Sequence, residues 1–233
     1  MTTTYKKLQR RTLVQQVYDC LRTRIVRLEL KPGEKIDLQR LSIELSVSQT
    51  PLREALQRLV EQGFVESKPY VGYFVVQLTQ KDIQQLFDLR KALEILALKY
   101  VYANNIDIKK LQQFLERLTD LEQRGFPVKD TQEFDEDFHL GFLINGSKNK
   151  WLKRFANGVL DLIRLTTNLS VNPEAACVEH RAILLALYKR DLEQAILALE
   201  NHLDRAKHDA YKFCLRKEVR TECELSIKSK VKP

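Results

Sequence analysis

The chain has 233 residues, of which 44% are hydrophobic and 30% charged, so it can bury a sizeable core and does not have the composition of a disordered chain. Its net charge is +8, with the basic excess at the two ends, and its seven glycines and six prolines are few enough to favour long helices over an all-β fold. No apolar run is long enough for a transmembrane helix, no signal peptide is recognisable, and the cysteines show no paired spacing. We therefore expect a mostly α, cytoplasmic protein with reduced thiols and no membrane partner.

Residues 10–77 are predicted to form the first domain. An amphipathic helix is expected over Leu13–Leu28 and is ended by Lys31-Pro32-Gly33. A second, shorter amphipathic helix is expected over Leu38–Leu45.

The third helix follows the turn Ser46-Val47-Ser48. We predict Thr50 as its N-cap, Pro51 as its first helical residue and Gly63 as its end. One face carries apolar residues at helical spacing, while Arg53 points outward. Two short helices joined by a tight turn have the geometry that places a helix N-terminus in a DNA major groove.

Two short β-prone runs come next, Phe64–Ser67 and Tyr73–Val76, with the turn residues Lys68–Gly72 between them. A hairpin after such a helix pair predicts a winged helix-turn-helix. The alternative is an ordinary helical pair beside a hairpin with no DNA-binding role.

The order PGEKIDLQRLSIELSVSQTPLREALQRLVEQGFV, followed by a glycine-tipped hairpin, resembles the N-terminal domain of GntR-family transcription regulators, with Thr50–Leu56 as its most specific part. The resemblance implies a double-stranded DNA operator as partner. The residues that it implicates in DNA binding are Gln49, Thr50, Arg53, Arg40, Lys68 and Gly72. The chain departs from the family at three positions: Gln49 stands where arginine is usual, Ser46 where glycine is usual, and Val71 where a basic residue is frequent.

The second domain is predicted over residues 79–216, with the boundary near Gln77–Gln80 and a basic, frayed tail over residues 217–233. Thr79 is expected to cap its first helix, whose buried face would hold Ile83, Leu86, Phe87, Leu93, Leu96 and Ala97. Six antiparallel helices are expected, over Gln80–Asn104, Ile108–Arg124, Lys129–Ile144, Asn149–Leu169, Glu174–Lys189 and from Asp191 to about Arg216. Such a bundle can hold a ligand at its centre.

The chain has only four histidines. Asp135 and His139 lie four residues apart, so both face the same side of a helix, while His180 and His202 lie on the last two helices. Three imidazoles and one carboxylate suit a divalent ion such as Zn²⁺, Ni²⁺ or Mn²⁺. The alternative is a set of unrelated hydrogen-bonded or surface histidines, and His208 is expected to be such a surface residue.

The chain has the pattern Asp135-x-x-Phe138-His139, then Asn149, then Glu179-His180, with Asp191 eleven and His202 twenty-two residues after His180. This pattern resembles the FCD ligand-binding domain of GntR regulators, and the chain is similar to the FadR subfamily. The resemblance implies that the cluster binds a divalent metal, which helps to hold a small organic acid. A carboxylate effector needs cationic partners, and Arg90 and Arg164 are the candidates. Each could instead pair with a neighbouring acid, Glu94 or Asp161.

We therefore expect a homodimeric, ligand-responsive transcription regulator that is not an enzyme. One alternative is a metal-dependent enzyme, although no HExxH, GxSxG or glycine-rich phosphate loop is present. Another is a metabolite sensor whose DNA binding is weak.

Overall fold

The computed structural model describes the backbone of residues 12–167 and 172–230, and the side chains of residues 12–165 and 172–212. It divides into two compact units, residues 1–77 and 78–233. None of the described helices is long and apolar enough to cross a membrane. The predicted first residues of the DNA-binding domain, 10 and 11, and the last three residues of the tail lie outside the described residues, as do the side chains of Cys214 and Cys223.

The first unit is a three-helix core with a two-stranded antiparallel hairpin. Its elements are α1 (Leu13–Val26), α2 (Leu38–Glu44), α3 (Gln49–Glu61), β1 (Val65–Lys68) and β2 (Gly72–Val75). Helix α3 packs against α1 and α2 through side chains that are fully removed from solvent, among them Leu21, Ile25, Leu52, Leu56 and Leu59. The chain before α2 also pairs with β2, through the bonds from Ile36 N to Tyr73 O and from Val75 N to Glu34 O.

The predicted start of α3 at Thr50 is wrong. The helix begins at Gln49, its N-cap is Ser48, and Pro51 is its third residue. Proline is tolerated there because the N–H groups of the first turn have no intrahelical partner in any case. The end is as predicted, since Gly63 follows the C-cap with a φ of +78°. Gln49, which is half-buried, and Thr50, which is exposed, therefore belong to the first turn of the helix.

The second unit is an all-helical bundle. Its elements are α4 (Gln80–Ala103), α5 (Ile108–Gln123), α6 (Val128–Glu136), a π-helix (Asp137–Ile144), α7 (Lys150–Thr167), α8 (Pro173–Tyr188) and α9 (Leu192–Lys230). Thr79 caps the start of α4, as predicted, and Asp82 completes a capping box with it. The core has a large apolar cluster that includes Leu98, Phe134 and Leu184, and a smaller one of Ile83, Phe87, Ile163 and Ala210.

Three details of this bundle differ from the sequence-based prediction. Residues 129–144 are not one α-helix, because the chain changes to π-helical bonding at Asp137. Gly146 follows this segment, and a Cβ at that position would lie only 2.0 Å from the carbonyl oxygen of Phe142. Leu96 is exposed rather than buried. Helix α9 continues to Lys230 instead of ending near Arg216, since no glycine or proline interrupts residues 217–230.

The buried face of α4 explains the error at Leu96. Its inner positions are taken by Ile83, Phe87, Arg90, Glu94, Ala97, Leu98 and Val101. This buried stripe has normal helical spacing but includes the charged Arg90 and Glu94, so apolar periodicity alone does not predict them as buried.

Candidate functional sites

Four predicted ligand side chains converge inside the second unit. Asp135 lies on α6, His139 on the π-helix, His180 on α8 and His202 on α9, and their nearest ligand atoms all lie within 4.8 Å of one another. Nε2 of His139 is 3.1 Å from Nε2 of His202 and 3.3 Å from Nε2 of His180. Oδ1 of Asp135 is 3.5 Å from Nε2 of both His139 and His180. Sequence spacing could not show this convergence.

The four separations of 3.1 to 3.5 Å suit a common metal ion. With metal–nitrogen bonds of about 2.0 to 2.1 Å, two ligands of a tetrahedral ion lie about 3.3 Å apart. Three imidazoles and a carboxylate are also a donor set that first-row divalent metals accept. By geometry and chemistry the four residues fit the ion that the sequence suggests.

Burial and neighbouring charges together set the protonation of the cluster. Burial lowers the pKa of His180 and of His202 well below the ordinary value, with neighbouring imidazole charge acting in the same direction. Burial also opposes a charge on His139, but the carboxylates of Glu94 and Asp135 together outweigh it and raise the pKa of that residue. For Asp135, partial burial favours the neutral acid, yet the facing imidazoles hold the pKa well below its usual value. Its side chain stays 46% exposed, so the cluster opens to its surroundings on this side.

Two of the three imidazoles are oriented by glutamates that contact Nδ1, the ring nitrogen facing away from the cluster. Nδ1 of His139 is 2.5 Å from Oε2 of Glu94, and Nδ1 of His202 is 2.8 Å from Oε2 of Glu179. Because an ionised carboxylate can only accept, Nδ1 must be the donor in each pair, which leaves Nε2 facing the cluster. Nδ1 of His180 is buried and has no hydrogen-bond partner in the part of the chain that the structure describes.

Sequence reasoning missed the role of these glutamates. Glu94 appeared only as a neighbour of Arg90, and Glu179 only as the residue before His180. The one available indication was the spacing of Arg90 and Glu94, which puts both at inner positions of α4. Asn149 and Asp191 stay outside the cluster. Asn149 accepts two hydrogen bonds from backbone N–H groups at the start of α7, and Asp191 accepts one at the start of α9.

The two arginines proposed for an effector differ in setting. Arg90 is 5% exposed, donates from Nε to Glu94 at 2.6 Å and lies close enough to influence the charge of Asp135, His139 and His202. Arg164 is partly exposed and binds two carboxylates, Asp161 at 3.1 Å and Glu136 at 3.0 Å. Each arginine thus has the acidic neighbour that the sequence suggested as its alternative partner, although Arg90 is not at the surface.

In the first unit, a groove of about 850 Å³ lies between the start of α3 and the hairpin. Gln49 and Arg53 form one side, and Lys68 and Gly72 belong to the other. Arg53 donates to the amide oxygen of Gln49 at 3.5 Å, a long contact that leaves the guanidinium exposed.

The remaining predicted DNA-binding residues also lie at the surface. Arg40 is exposed in the first turn of α2, and Thr50 is exposed beside Gln49. The ammonium group of Lys68 lies 4.6 Å from the centre of the Phe74 ring, and this cation–π contact holds the side chain against the hairpin. At the hairpin tip, Tyr70 is fully exposed with a φ of +60°, and Val71 is also exposed.

Comparison with known proteins agrees with the division of the chain into two units. The family model "Bacterial regulatory proteins, gntR family" matches residues 13–75, and the FCD domain model matches residues 85–205. An uncharacterised HTH-type regulator from an unstable DNA locus of Streptomyces ambofaciens is 30% identical over 196 residues, covering 83% of each chain. The uncharacterised HTH-type regulator YdhC of Bacillus subtilis is 30% identical over 203 residues, covering 83% of this chain and 90% of its own. The solved structure of E. coli McbR/YncC has the same fold, with a TM-score of 0.71 at 22% identity over 87% of this chain and 99% of that one.

The protein belongs to the GntR family of transcriptional regulators and carries an FCD domain. Its relatives are named as DNA-binding regulators rather than enzymes, so the enzyme alternative is set aside.

Proposed function

We propose that this regulator binds a divalent metal and a small organic acid in its second unit, and that the bound ligands modulate operator binding by the first. The observation that carries the proposal is that three imidazole Nε2 atoms and Oδ1 of Asp135 lie within 4.8 Å of one another. Asp135, His139, His180 and His202 would hold the ion, with Zn²⁺, Ni²⁺ and Mn²⁺ as the candidates. The ion would supply a positive centre for an anionic ligand.

The effector is proposed to enter beside Asp135, the most exposed member of the cluster. Arg90 supports a carboxylate effector because it is buried near the cluster, and its bond to Glu94 uses Nε. Arg164 is the weaker candidate, since two carboxylates already neutralise it.

DNA contact is proposed for the groove between α3 and the hairpin. Arg53 and Gln49 in the first turns of α3 would contact base edges, with Thr50, Arg40 and Lys68 on phosphates. Gly72, whose φ is +128°, has no side chain and would let the hairpin approach the DNA backbone closely.

A homodimer is proposed because one recognition helix contacts too few base pairs for a useful operator. Helices α4 and α7 pack against each other, and each keeps large apolar side chains exposed at helical spacing. On α4 these are Leu89, Leu96 and Tyr100, and on α7 they are Trp151 and Phe155. Burying them against a second copy would remove this apolar surface from water.

The test uses full-length protein purified without chelator. Elemental analysis should find about one divalent ion per chain, and a gel shift with the DNA upstream of its own gene should respond to added organic acids. Protein without an ion, or DNA binding that no acid changes, would contradict the proposal. A metabolite sensor with weak DNA binding is the remaining alternative; it predicts metal and effector binding without a specific shift.

A further inference from the structure

The second unit contains two hydrogen-bonded rows of arginine, glutamate and histidine with the same arrangement. In the first, Arg90 donates from Nε to Oε1 of Glu94 at 2.6 Å, and Oε2 of Glu94 accepts from Nδ1 of His139 at 2.5 Å. In the second, Arg205 donates from Nε to Oε1 of Glu179 at 2.6 Å, and Oε2 of Glu179 accepts from Nδ1 of His202 at 2.8 Å. In both, one carboxylate oxygen serves an arginine and the other serves an imidazole.

From this repeated arrangement we infer that Glu94 and Glu179 are positioning residues that fix Nε2 of His139 and of His202 as the metal-binding atoms and strengthen them as ligands. This role presupposes the metal ion proposed above. A carboxylate behind an imidazole holds the ring orientation and tautomer and makes the opposite nitrogen a better donor to a metal. The arginines hold each carboxylate in the orientation that this requires.

The three imidazoles are therefore not equivalent. His180 has no such carboxylate among the described residues, and its ring is held by packing, with ring centres of Phe138 and Phe134 at 4.5 and 5.5 Å. Two of the histidines are held by hydrogen bonds and charge, whereas the third depends on the apolar core.

A glutamine at either glutamate position tests the role with little change of shape. A carboxylate accepts on both oxygens, but a primary amide has a single acceptor oxygen. In Glu179→Gln the amide oxygen can face either Arg205 or His202, and the NH₂ group must then face the other donor. Glu94→Gln creates the same conflict between Arg90 and His139. Glu116→Gln is the matched control, because Glu116 is exposed on α5.

The experiment is competition for Zn²⁺ between full-length protein and a chromophoric chelator, together with the visible absorption of Co²⁺-loaded protein. Both glutamate variants should bind Zn²⁺ roughly 10- to 100-fold more weakly than wild type and change the Co²⁺ spectrum, and Glu116→Gln should do neither. Melting of the metal-free proteins separates positioning from folding. Glu94 is fully buried, whereas Glu179 is 24% exposed, so Glu179→Gln carries the test if Glu94→Gln does not fold.

Wild-type affinity and an unchanged Co²⁺ spectrum in folded Glu179→Gln protein would overturn the positioning role while leaving the metal site intact. Wild-type protein that binds neither Zn²⁺ nor Co²⁺ would overturn the metal site and the positioning role together. The two failures are therefore distinguished by wild-type binding alone.

Discussion

Glu94 and His139 lie 45 residues apart in the chain, yet the carboxylate of one is 2.5 Å from Nδ1 of the other in the buried centre of the bundle. Glu94 is inaccessible to solvent and remains ionised because the charges of Arg90 and His139 outweigh the cost of its burial, which leaves its pKa at about 2. A buried charge is maintained only where partners compensate for its lost hydration. The candidate metal centre therefore extends beyond its four ligands to the residues behind them.

Removing one ligand should empty the centre. His139→Ala, His180→Ala and His202→Ala should each lose most of the proposed metal and the thermal stability that it would add, because the ion would link the π-helix, α8 and α9. An ion at a free concentration a hundredfold above its Kd stabilises a folded protein by about 2.7 kcal/mol. Elemental analysis and melting with and without chelator measure both effects. His208→Ala, at an exposed position of α9, is the control, and unchanged metal content in all three ligand variants would remove the site.

A small mono- or dicarboxylate should raise the melting temperature of metal-loaded protein more than that of metal-free protein. Arg90→Lys keeps the charge but loses the planar guanidinium, and it should reduce this shift more than Arg164→Gln does, because Arg90 lies beside the cluster. A thermal-shift screen of organic acids and neutral sugars, with and without metal, measures this. Stabilisation by sugars and by no acid would contradict a carboxylate effector.

Operator binding should depend on Arg53. Arg53→Ala should nearly abolish specific binding, while Gln49→Arg should strengthen binding and shift base preference toward guanine, which arginine contacts in a bidentate manner. Arg58→Ala is the control on the same helix, because Arg58 donates to Gln15 on α1. Selection of operator sequences from a random pool measures all three. Recovery of the same operator with the same affinity by wild type and Gln49→Arg would show that position 49 does not face DNA.

The turn between α2 and α3 should gain stability from glycine. Ser46 has a φ of +53°, a left-handed conformation that costs a side-chain-bearing residue about 1 to 2 kcal/mol. Glycine removes this strain but also gives the unfolded chain more conformational entropy, which offsets part of the gain. Ser46→Gly should therefore raise the free energy of unfolding by about 0.5 to 1 kcal/mol. Denaturant unfolding measures the change. Ser48→Gly, with a φ of −69°, is the control that should give no gain, and an equal gain in both would contradict the explanation.

Dimerisation should depend on the exposed apolar residues of α4 and α7. Leu96→Glu and Phe155→Glu should shift the protein toward monomer, because each would place a charge in the proposed contact. Val178→Glu changes an equally exposed residue of α8 and should leave assembly unchanged. Sedimentation at micromolar concentration distinguishes the outcomes, and a wild-type monomer with or without DNA would contradict the proposed homodimer.

The helix-turn-helix and the bundle were predictable from local chemistry. Apolar spacing, the Thr79 cap and Gly63 located most helices to within a few residues, because these features act within a single turn of chain. The start of α3 was missed because Ser48, Thr50 and Pro51 offer competing local starts. On the inner face of α4, Ile83, Phe87 and Ala97 were predicted correctly. Arg90 and Glu94 were missed there because they are charged residues at buried positions.

By itself the sequence determined the order of the elements, their approximate limits and, through family resemblance, the four candidate ligands. Only the tertiary structure decided that their nitrogen and oxygen atoms meet, that the chain adopts a π-helix at Asp137 and that Glu94 and Glu179 lie behind two of the imidazoles. The physical reason is the range of the interactions. Helix periodicity and capping depend on neighbours three or four residues apart, whereas a buried charge is stable only where folding brings a distant partner within hydrogen-bond distance.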